Sequence, residues 1–255
     1  MATDKNNKVK RTSIIVRTVD RPEYLRECLL SLALQEGANV EIVIVNDGGP
    51  DISQLIASWK LPLDYKLIQF DLQRGRSLAA NAALEITEGE YIGFLDDDDI
   101  FYPCHISKLI SHIEERGLDA AYSISLCAKQ AICGQGYKTN AFEIHHKSEF
   151  SYKRLLSENY LPICSVLFKR ELALNNVDFD PDFEALEDWD FWIRLLENAQ
   201  VGFLPEITSE YRVRDDGTNT TGQFEHLWIW SRNHIAQKHA KRRGAYQVEE
   251  EILLS

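Results

Sequence analysis

Residues 91–99 read YIGFLDDDD, a short β-rich run followed directly by four aspartates. A run of that composition is a strand buried on both faces. In an open α/β sheet ligands bind beyond the carboxyl ends of the strands, where these acids stand. The same junction recurs upstream. SIIVRT (13–18) ends in Arg17 and Thr18 with Asp20 and Arg21 beyond; VEIVIVN (40–46) is followed by Asp47, Gly48 and Gly49; YKLIQF (65–70) by Asp71, Arg74 and Arg76. Helical patterns separate these runs: one after Pro22, one after Asp51 and one from Arg76. In the first, Pro22 takes the opening turn, and Tyr24, Leu25, Cys28, Leu29 and Leu32 recur at helical spacing to face the sheet as core. The alternation predicts an α/β fold with a parallel sheet covered by helices.

The pattern loosens after Leu126. SLCAKQAICGQGYKTNAFEIHH, with glycines at 134 and 136, predicts a hairpin or irregular excursion over the sheet. A strong helix follows in LEDWDFWIRLLENA (186–199), then a short extended run EYRVR (210–214), the loop DDGTNTTG, and an aromatic helical stretch from about Phe224 to Arg243. No internal repeat or linker-like composition break divides the chain, which predicts one domain with a mixed second half.

Composition excludes several classes. The 255 residues are 44% hydrophobic and 27% charged, as in an ordinary folded protein. A net charge of −12 repels phosphate backbones and argues against nucleic acid as a partner. Five cysteines with no CxxC pair argue against a disulfide framework or zinc module, and predict reduced thiols in a cytoplasmic protein. No apolar run approaches the roughly 18 residues needed to span a bilayer. Peripheral membrane contact stays open because KHAKRR (238–243) follows LWIW, although a solvated helix end has the greater weight.

At the rim, arginines suit phosphates, and clustered carboxylates suit a divalent cation that phosphate oxygens then share. The implied ligand is a nucleotide diphosphate with metal. A solvated turn is the competing account of the four aspartates, but adjacent carboxylates after a buried run repel one another unless a cation or arginines neutralise them. Asp47 reads equally well as an Asx-turn residue in DGG. A second constellation is Glu187, Asp188 and Asp190. An acid-rich first helical turn is its plain explanation, whereas Trp189 and Trp192 beside Asp188 are aromatic walls suited to stacking on a sugar ring and to lifting a carboxyl pKa. No dinucleotide GxGxxG or P-loop fingerprint occurs.

Taken in order, SIIVRTVDRPEYLRECLLSL, VEIVIVNDGG, YIGFLDDDDIFYP and LEDWDFWIRLL resemble the family-2 inverting glycosyltransferases of the GT-A fold, over about Ser13 to Arg214. The resemblance implies a single GT-A domain over 1–255, with a nucleotide-sugar-binding half at about 13–100, an acceptor half at about 101–215 and a C-terminal helical extension at 216–255. It places Thr18, Asp20, Arg21, Arg76, Asp96 and Asp97 at the donor, Asp47 at the base and Asp98 at a Mn²⁺ or Mg²⁺ ion. Asp188 becomes the catalytic base, with Glu187 and Trp189 beside it on the acceptor side. Arg76 supplies the charge where relatives often carry an arginine at the position of Ala80, and Arg214 stands near where many have a metal-touching histidine. The processive QxxRW motif is missing. The implied reaction is transfer of one sugar from a nucleotide-diphosphate sugar, a UDP-sugar foremost, to a glycan or lipid-linked acceptor, as in surface polysaccharide synthesis. A sugar-nucleotidyltransferase is the first alternative, but RTVDRP lacks the glycines of its first loop. A non-catalytic nucleotide- or glycan-binding module is the second, and intact Asp98 and Asp188 argue against it.

Overall fold

The structure, a computed structural model, describes residues 10–133, 136–175, 177–214 and 225–247. Strands β1 (Arg11–Thr18), β2 (Asn39–Asp47), β3 (Asp64–Phe70) and β4 (Tyr91–Phe94) pair in parallel in the order β3-β2-β1-β4. Their carboxyl ends therefore share one rim. Alternate residues feed two cores. Ile14, Val16, Ile42 and Ile44 pack against Leu25 and Leu29 of α1 (Pro22–Ala33), Ile56 of α2 (Ser53–Ser58) and Ile106 of α4 (His105–Arg116). Ile15, Val43, Val45, Ile92 and Phe94 pack on the other face against Ala79, Ala80 and Ala83 of α3 (Arg76–Ile86) and Phe191 and Trp192 of α6 (Glu187–Leu195). Cover on both faces explains why these strands read as nearly continuous apolar runs. Tyr24 departs from the expected core stripe of α1: it is only half-buried, and its ring meets Arg214 and Tyr137 instead.

The second half extends the same sheet. β8 (Val166–Lys169) adds antiparallel to β4, β6 (Ala120–Cys133) antiparallel to β8, β9 (Val201–Arg214) parallel to β6, and β5 (Ile100–Phe101) antiparallel to β9. β7 (Gly136–Glu143) folds back on β6 as the expected hairpin, with Gly134 outside the described residues. The EYRVR run is the end of the 14-residue β9, and the DDGTNTTG loop lies outside the described residues. The aromatic C-terminal stretch is helical, as α7 (Glu225–Lys238) and α8 (Ala240–Ala245). A single turn, α5 (Tyr152–Leu155), packs against α6.

Gly48 fixes the rim. It sits at φ +85°, and a Cβ there would lie 2.1 Å from the backbone nitrogen of Gln73. The loop after β3 thus passes directly over the end of β2, which only glycine permits. Gly48→Ala should cost at least about 1–2 kcal/mol from the left-handed backbone alone, plus displacement of that loop. The check is a fall in the urea midpoint with an unchanged m-value.

Candidate active site

A cleft of about 960 Å³ opens at the carboxyl rim of β1–β4 and runs on to the start of α6. A buried charged group in it is Arg17, which follows the apolar run Ile14–Val16 near the end of β1. The guanidinium is 7% exposed and donates Nε and Nη2 to Asp96 Oδ1 at 3.2 and 2.7 Å, Nη1 to Glu187 Oε1 at 2.9 Å and Nη1 to the Arg76 carbonyl at 3.4 Å. Burial works against its charge, but Asp96 and Glu187 outweigh that and hold its pKa above the usual arginine value. One side chain thus joins β1, the loop after β4, α3 and α6.

The four aspartates meet four different surroundings, and the solvated-turn account fails because Asp97 and Asp99 are buried. Burial would raise Asp96, but Arg17, Arg76 and Arg21 together hold it below the ordinary carboxylate range. Asp97 is enclosed, accepting from Thr18 Oγ1 at 2.6 Å and from Arg21 Nη2, and burial pushes its pKa up to about 7. Asp98 lines the cleft and accepts on Oδ2 from Arg21 Nη1 at 3.1 Å and from Arg214 Nη2. Asp99 takes the backbone N–H of Arg212 at 3.0 Å, and burial carries it well above the carboxylate range. Arginines supply the neutralisation that the sequence demanded.

Asp47 is neither a turn residue in DGG nor an open acceptor. Its two oxygens accept the backbone N–H groups of Arg74 and Gly75 at 2.7 and 2.9 Å, across the rim, while the residue still lines the cleft. It anchors the loop that presents Arg74, over the Phe70 ring at 4.4 Å, and Arg76, at 3.5 Å from Glu187. Thr18, Arg21 and Arg76 line the cleft as expected; Asp20 and Asp97 are not among the lining residues. Asp20 instead takes a positive φ of 48° where the chain turns out of β1.

Helix α6 starts from Leu186 at φ 59°, a strained backbone for a branched side chain. Glu187 and Asp188 both line the cleft, and Glu187 is committed to Arg17. Asp188 has no cationic hydrogen-bond partner among the described residues: Asn159 Nδ2 donates to its Oδ1 and Oδ2 at 3.2 and 3.3 Å, and the Trp189 backbone N–H to Oδ1 at 2.8 Å. Burial first, and the charge of Glu187 second, push its pKa up to about 7. Trp189 and Trp192 are corrections. Trp189 is 4% exposed with its indole N–H on the Leu155 carbonyl at 2.6 Å, and Trp192 is fully buried among Phe94, Phe168 and Phe191. Successive helical residues point about 100° apart, so the turn that aims Asp188 at the cleft turns the Trp189 indole away from it, while Trp192, one full turn on, is held in the core by the rings around it.

Two site residues were given no role by the sequence reading. Arg17 was placed at the rim and carried a further signal, an arginine inside a run otherwise fit for full burial, which demands a buried counter-charge. Asn159 carried none, because it lies far away in sequence in an unremarkable segment. The basic KHAKRR run is used inside the molecule: Lys238 reaches Asp180 and Asp190, Arg242 reaches Glu197, and Arg243 donates to the Leu156 carbonyl. Among the described residues no helix is long and apolar enough to cross a membrane.

Residues 13–169 match the family described as glycosyl transferase family 2. The chain belongs to that family. It is a glycosyltransferase with a GT-A fold, which sets aside the nucleotidyltransferase alternative. An uncharacterized glycosyltransferase of Bacillus subtilis, YwdF, is 29% identical over 216 residues, 84% of this chain and 78% of that one. The minor teichoic acid biosynthesis protein GgaB of the same organism is 27% identical over 218 residues, 81% of this chain but 23% of its own. Among solved structures, residues 1–349 of S. aureus TarS in complex with UDP-GlcNAc superpose with a TM-score of 0.63 at 22% identity, over 80% of this chain and 59% of that one. The mannosyltransferase PcManGT from Pyrobaculum calidifontis, in complex with GDP-Man and Mn²⁺, gives 0.63 at 17%, over 92% and 65%. The chain thus spans less than two thirds of the length of these solved structures.

Arg17→Met should destabilise the protein by about 3 kcal/mol, because it strands the buried carboxylate of Glu187 and unpairs the partly exposed Asp96, with Arg17→Lys falling between it and the parent. Urea unfolding of the three proteins checks the order.

Proposed function

We propose that this glycosyltransferase moves one sugar, with inversion, from a nucleoside diphosphate sugar to a hydroxyl of a glycan or lipid-linked acceptor, with Asp188 as general base. The observation that carries the reading is the position of Asp188. It is a carboxylate lifted toward neutrality and held by an amide rather than a cation, across the same cleft as Arg21, Arg74 and Arg76. A base with a pKa near the working pH accepts a proton well and is still ionised often enough to do so. The relatives support the donor class: TarS has been solved with UDP and with UDP-GlcNAc, PcManGT with GDP-Man. A UDP-sugar is the leading donor, and the relationship to GgaB favours a surface-polymer acceptor. The halves at about 13–100 and 101–215 then serve donor and acceptor.

In the reaction Asp188 takes the proton of the acceptor hydroxyl as that oxygen bonds to the anomeric carbon from the face opposite the diphosphate. The bond from the anomeric carbon to the phosphate oxygen breaks, and its electron pair leaves with the nucleoside diphosphate. The transition state is oxocarbenium-like, as in other glycosyl transfers, and inversion needs no covalent sugar intermediate. Arg74 and Arg76 hold and orient the diphosphate, while Glu187, already paired with Arg17, keeps Arg76 at the cleft. The residues fit a divalent cation, Mn²⁺ or Mg²⁺. Asp98 lines the cleft with both of its described bonds on Oδ2, and Asp96 with both of its own on Oδ1, a donor set that suits an ion taking one or two protein carboxylates. When bound, such an ion supplies positive charge to the departing diphosphate.

Asp188→Asn should lower single-turnover transfer by about 10²- to 10⁴-fold with little change in UDP affinity, and Glu187→Gln should act chiefly on stability and Arg76. The parent's kcat/KM should rise with pH through an acid limb near 7, since only the ionised Asp188 accepts the proton. Near-parental transfer by Asp188→Asn, beside a dead Glu187→Gln, would reverse the two roles.

A further inference from the structure

Asp98 meets two protein cations, Arg21, which lines the cleft with it, and Arg214, which does not. Of the two guanidinium groups on its Oδ2, that of Arg21 belongs to a side chain 37% exposed that also bonds Asp97. Arg214 is different. Its side chain is 1% exposed, and its guanidinium carbon lies 4.8 Å from the Tyr24 ring centroid and 5.7 Å from that of Tyr137, with the two rings 5.9 Å apart. Tyr24 comes from α1, Tyr137 from β7 and Arg214 from the last position of β9. Asp98 lines the cleft and Arg214 does not. The fold therefore builds a seat for a permanent positive charge directly behind a carboxylate that faces ligand, and an arginine keeps that charge at every working pH.

We propose that Arg214 is a specificity-determining residue for the cation at Asp98. It holds the cleft's divalent-ion affinity low, so that Arg21, Arg74 and Arg76 carry most of the counter-charge for a bound nucleoside diphosphate. The second half of this statement rests on the donor reading above; the first half does not.

The argument is electrostatic. A carboxylate already paired with a fixed guanidinium presents less negative potential to an arriving dication, and the dication is repelled by the guanidinium besides. Both effects are screened less at a partly buried carboxylate than at an open surface, because the effective dielectric there is below that of water. The neighbouring carboxylates restore only part of the lost charge. Asp96 is clamped by Arg17, Asp97 is enclosed under Thr18 and Arg21, and Asp99 is turned to the Arg212 backbone. Aromatic rings on the guanidinium stabilise a cation there and leave it no route to swing aside when metal arrives.

The competing account is an ion pair that merely fastens the end of β9 to the loop after β4, and charge-retaining and charge-deleting variants separate the two. Mn²⁺ alone is titrated into the full chain, and the free ion is read from its electron paramagnetic resonance signal, for the parent, Arg214→Lys and Arg214→Gln, each shown folded by circular dichroism. Arg214→Gln should bind Mn²⁺ at least about tenfold more tightly than the parent, and Arg214→Lys within about twofold of it, since the Coulomb effect follows the charge. Should Arg214→Gln fail to fold, Tyr24→Leu, which loosens the seat and keeps the arginine, should shift Mn²⁺ affinity in the same direction by a smaller factor. Equal Mn²⁺ affinity in the parent and the folded charge-deleting or seat-loosening variant overturns the proposal. UDP calorimetry in EDTA and in Mn²⁺ forms the second arm. The parent should gain less than about tenfold from Mn²⁺ and Arg214→Gln distinctly more; a larger gain in the parent counts against the proposal. Absence of UDP binding in every protein would refute the donor reading, with Arg214 still judged on Mn²⁺ alone.

Discussion

The buried guanidinium of Arg17 is the interaction on which the active-site geometry depends. Placing a charge at the bottom of a cleft is costly unless every part of it finds a partner, and here the forked group finds Asp96 through two bonds, Glu187 through a third and the Arg76 carbonyl through a fourth. Because the partners come from different segments, satisfying one side chain fixes the loop after β4, the start of α3 and the start of α6 relative to β1. The rim is then rigid without relying on hydrophobic packing, which lies a layer deeper.

That rigidity explains how four consecutive aspartates behave as four different residues. Composition counts them as equal charges. Their neighbours divide them: Asp96 stays ionised on Arg17, Asp97 and Asp99 are pushed toward neutrality by burial, and Asp98 combines a place on the cleft with the guanidinium groups of Arg21 and Arg214. Adjacent side chains in a turn point in unlike directions, so a run of identical residues samples several dielectric environments within a few ångströms.

The first half of the fold was legible because its information is local. Each strand of β1–β4 carries a continuous apolar run, each helix its own stripe, and the right-handed parallel crossover leaves few ways to assemble them. In the second half the pairing is set over long separations, as in β6 with β9, where Ala120 meets Val201 and Gln130 meets Arg214. EYRVR looked short because the alternation is broken upstream by Pro205 and Glu206, although the ladder continues past them. Thr18, Arg21, Arg76, Asp96, Asp98, Glu187 and Asp188 could be placed at the rim from their positions after strands or at a helix start, and all line the cleft; their roles are the proposal above. Asp97, Asp20 and Trp189 do not line it, because a residue's spacing reveals which element carries it but not which way the turn aims it. Asp47 lies at the cleft as expected, yet its hydrogen bonds to a loop 27 residues away have no local signature.

The helix α6 carries three acids in its first turn, and their partners explain which one is left for chemistry. Glu187 is neutralised from the front by Arg17. Asp190 is neutralised from behind, where Arg194 bonds it at 2.7 Å, Lys238 at 2.9 Å and His239 donates to it at 2.8 Å. Burial would raise the Asp190 pKa, but the bond from His239 and the charges of Arg194 and Lys238 outweigh it and hold that carboxyl below the ordinary range. These contacts also dock α7 and α8 on α6, so Lys238 and His239 of the basic C-terminal run clamp the helix that bears the proposed base. Asp188, between the two paired acids, receives only an amide and a backbone N–H. A carboxylate fixed by cations is a poor proton acceptor, whereas one fixed by neutral donors in a buried setting keeps its basicity. The two ion pairs therefore do for Asp188 what they cannot do for their own members: they hold the helix still and leave one carboxylate free to take a proton.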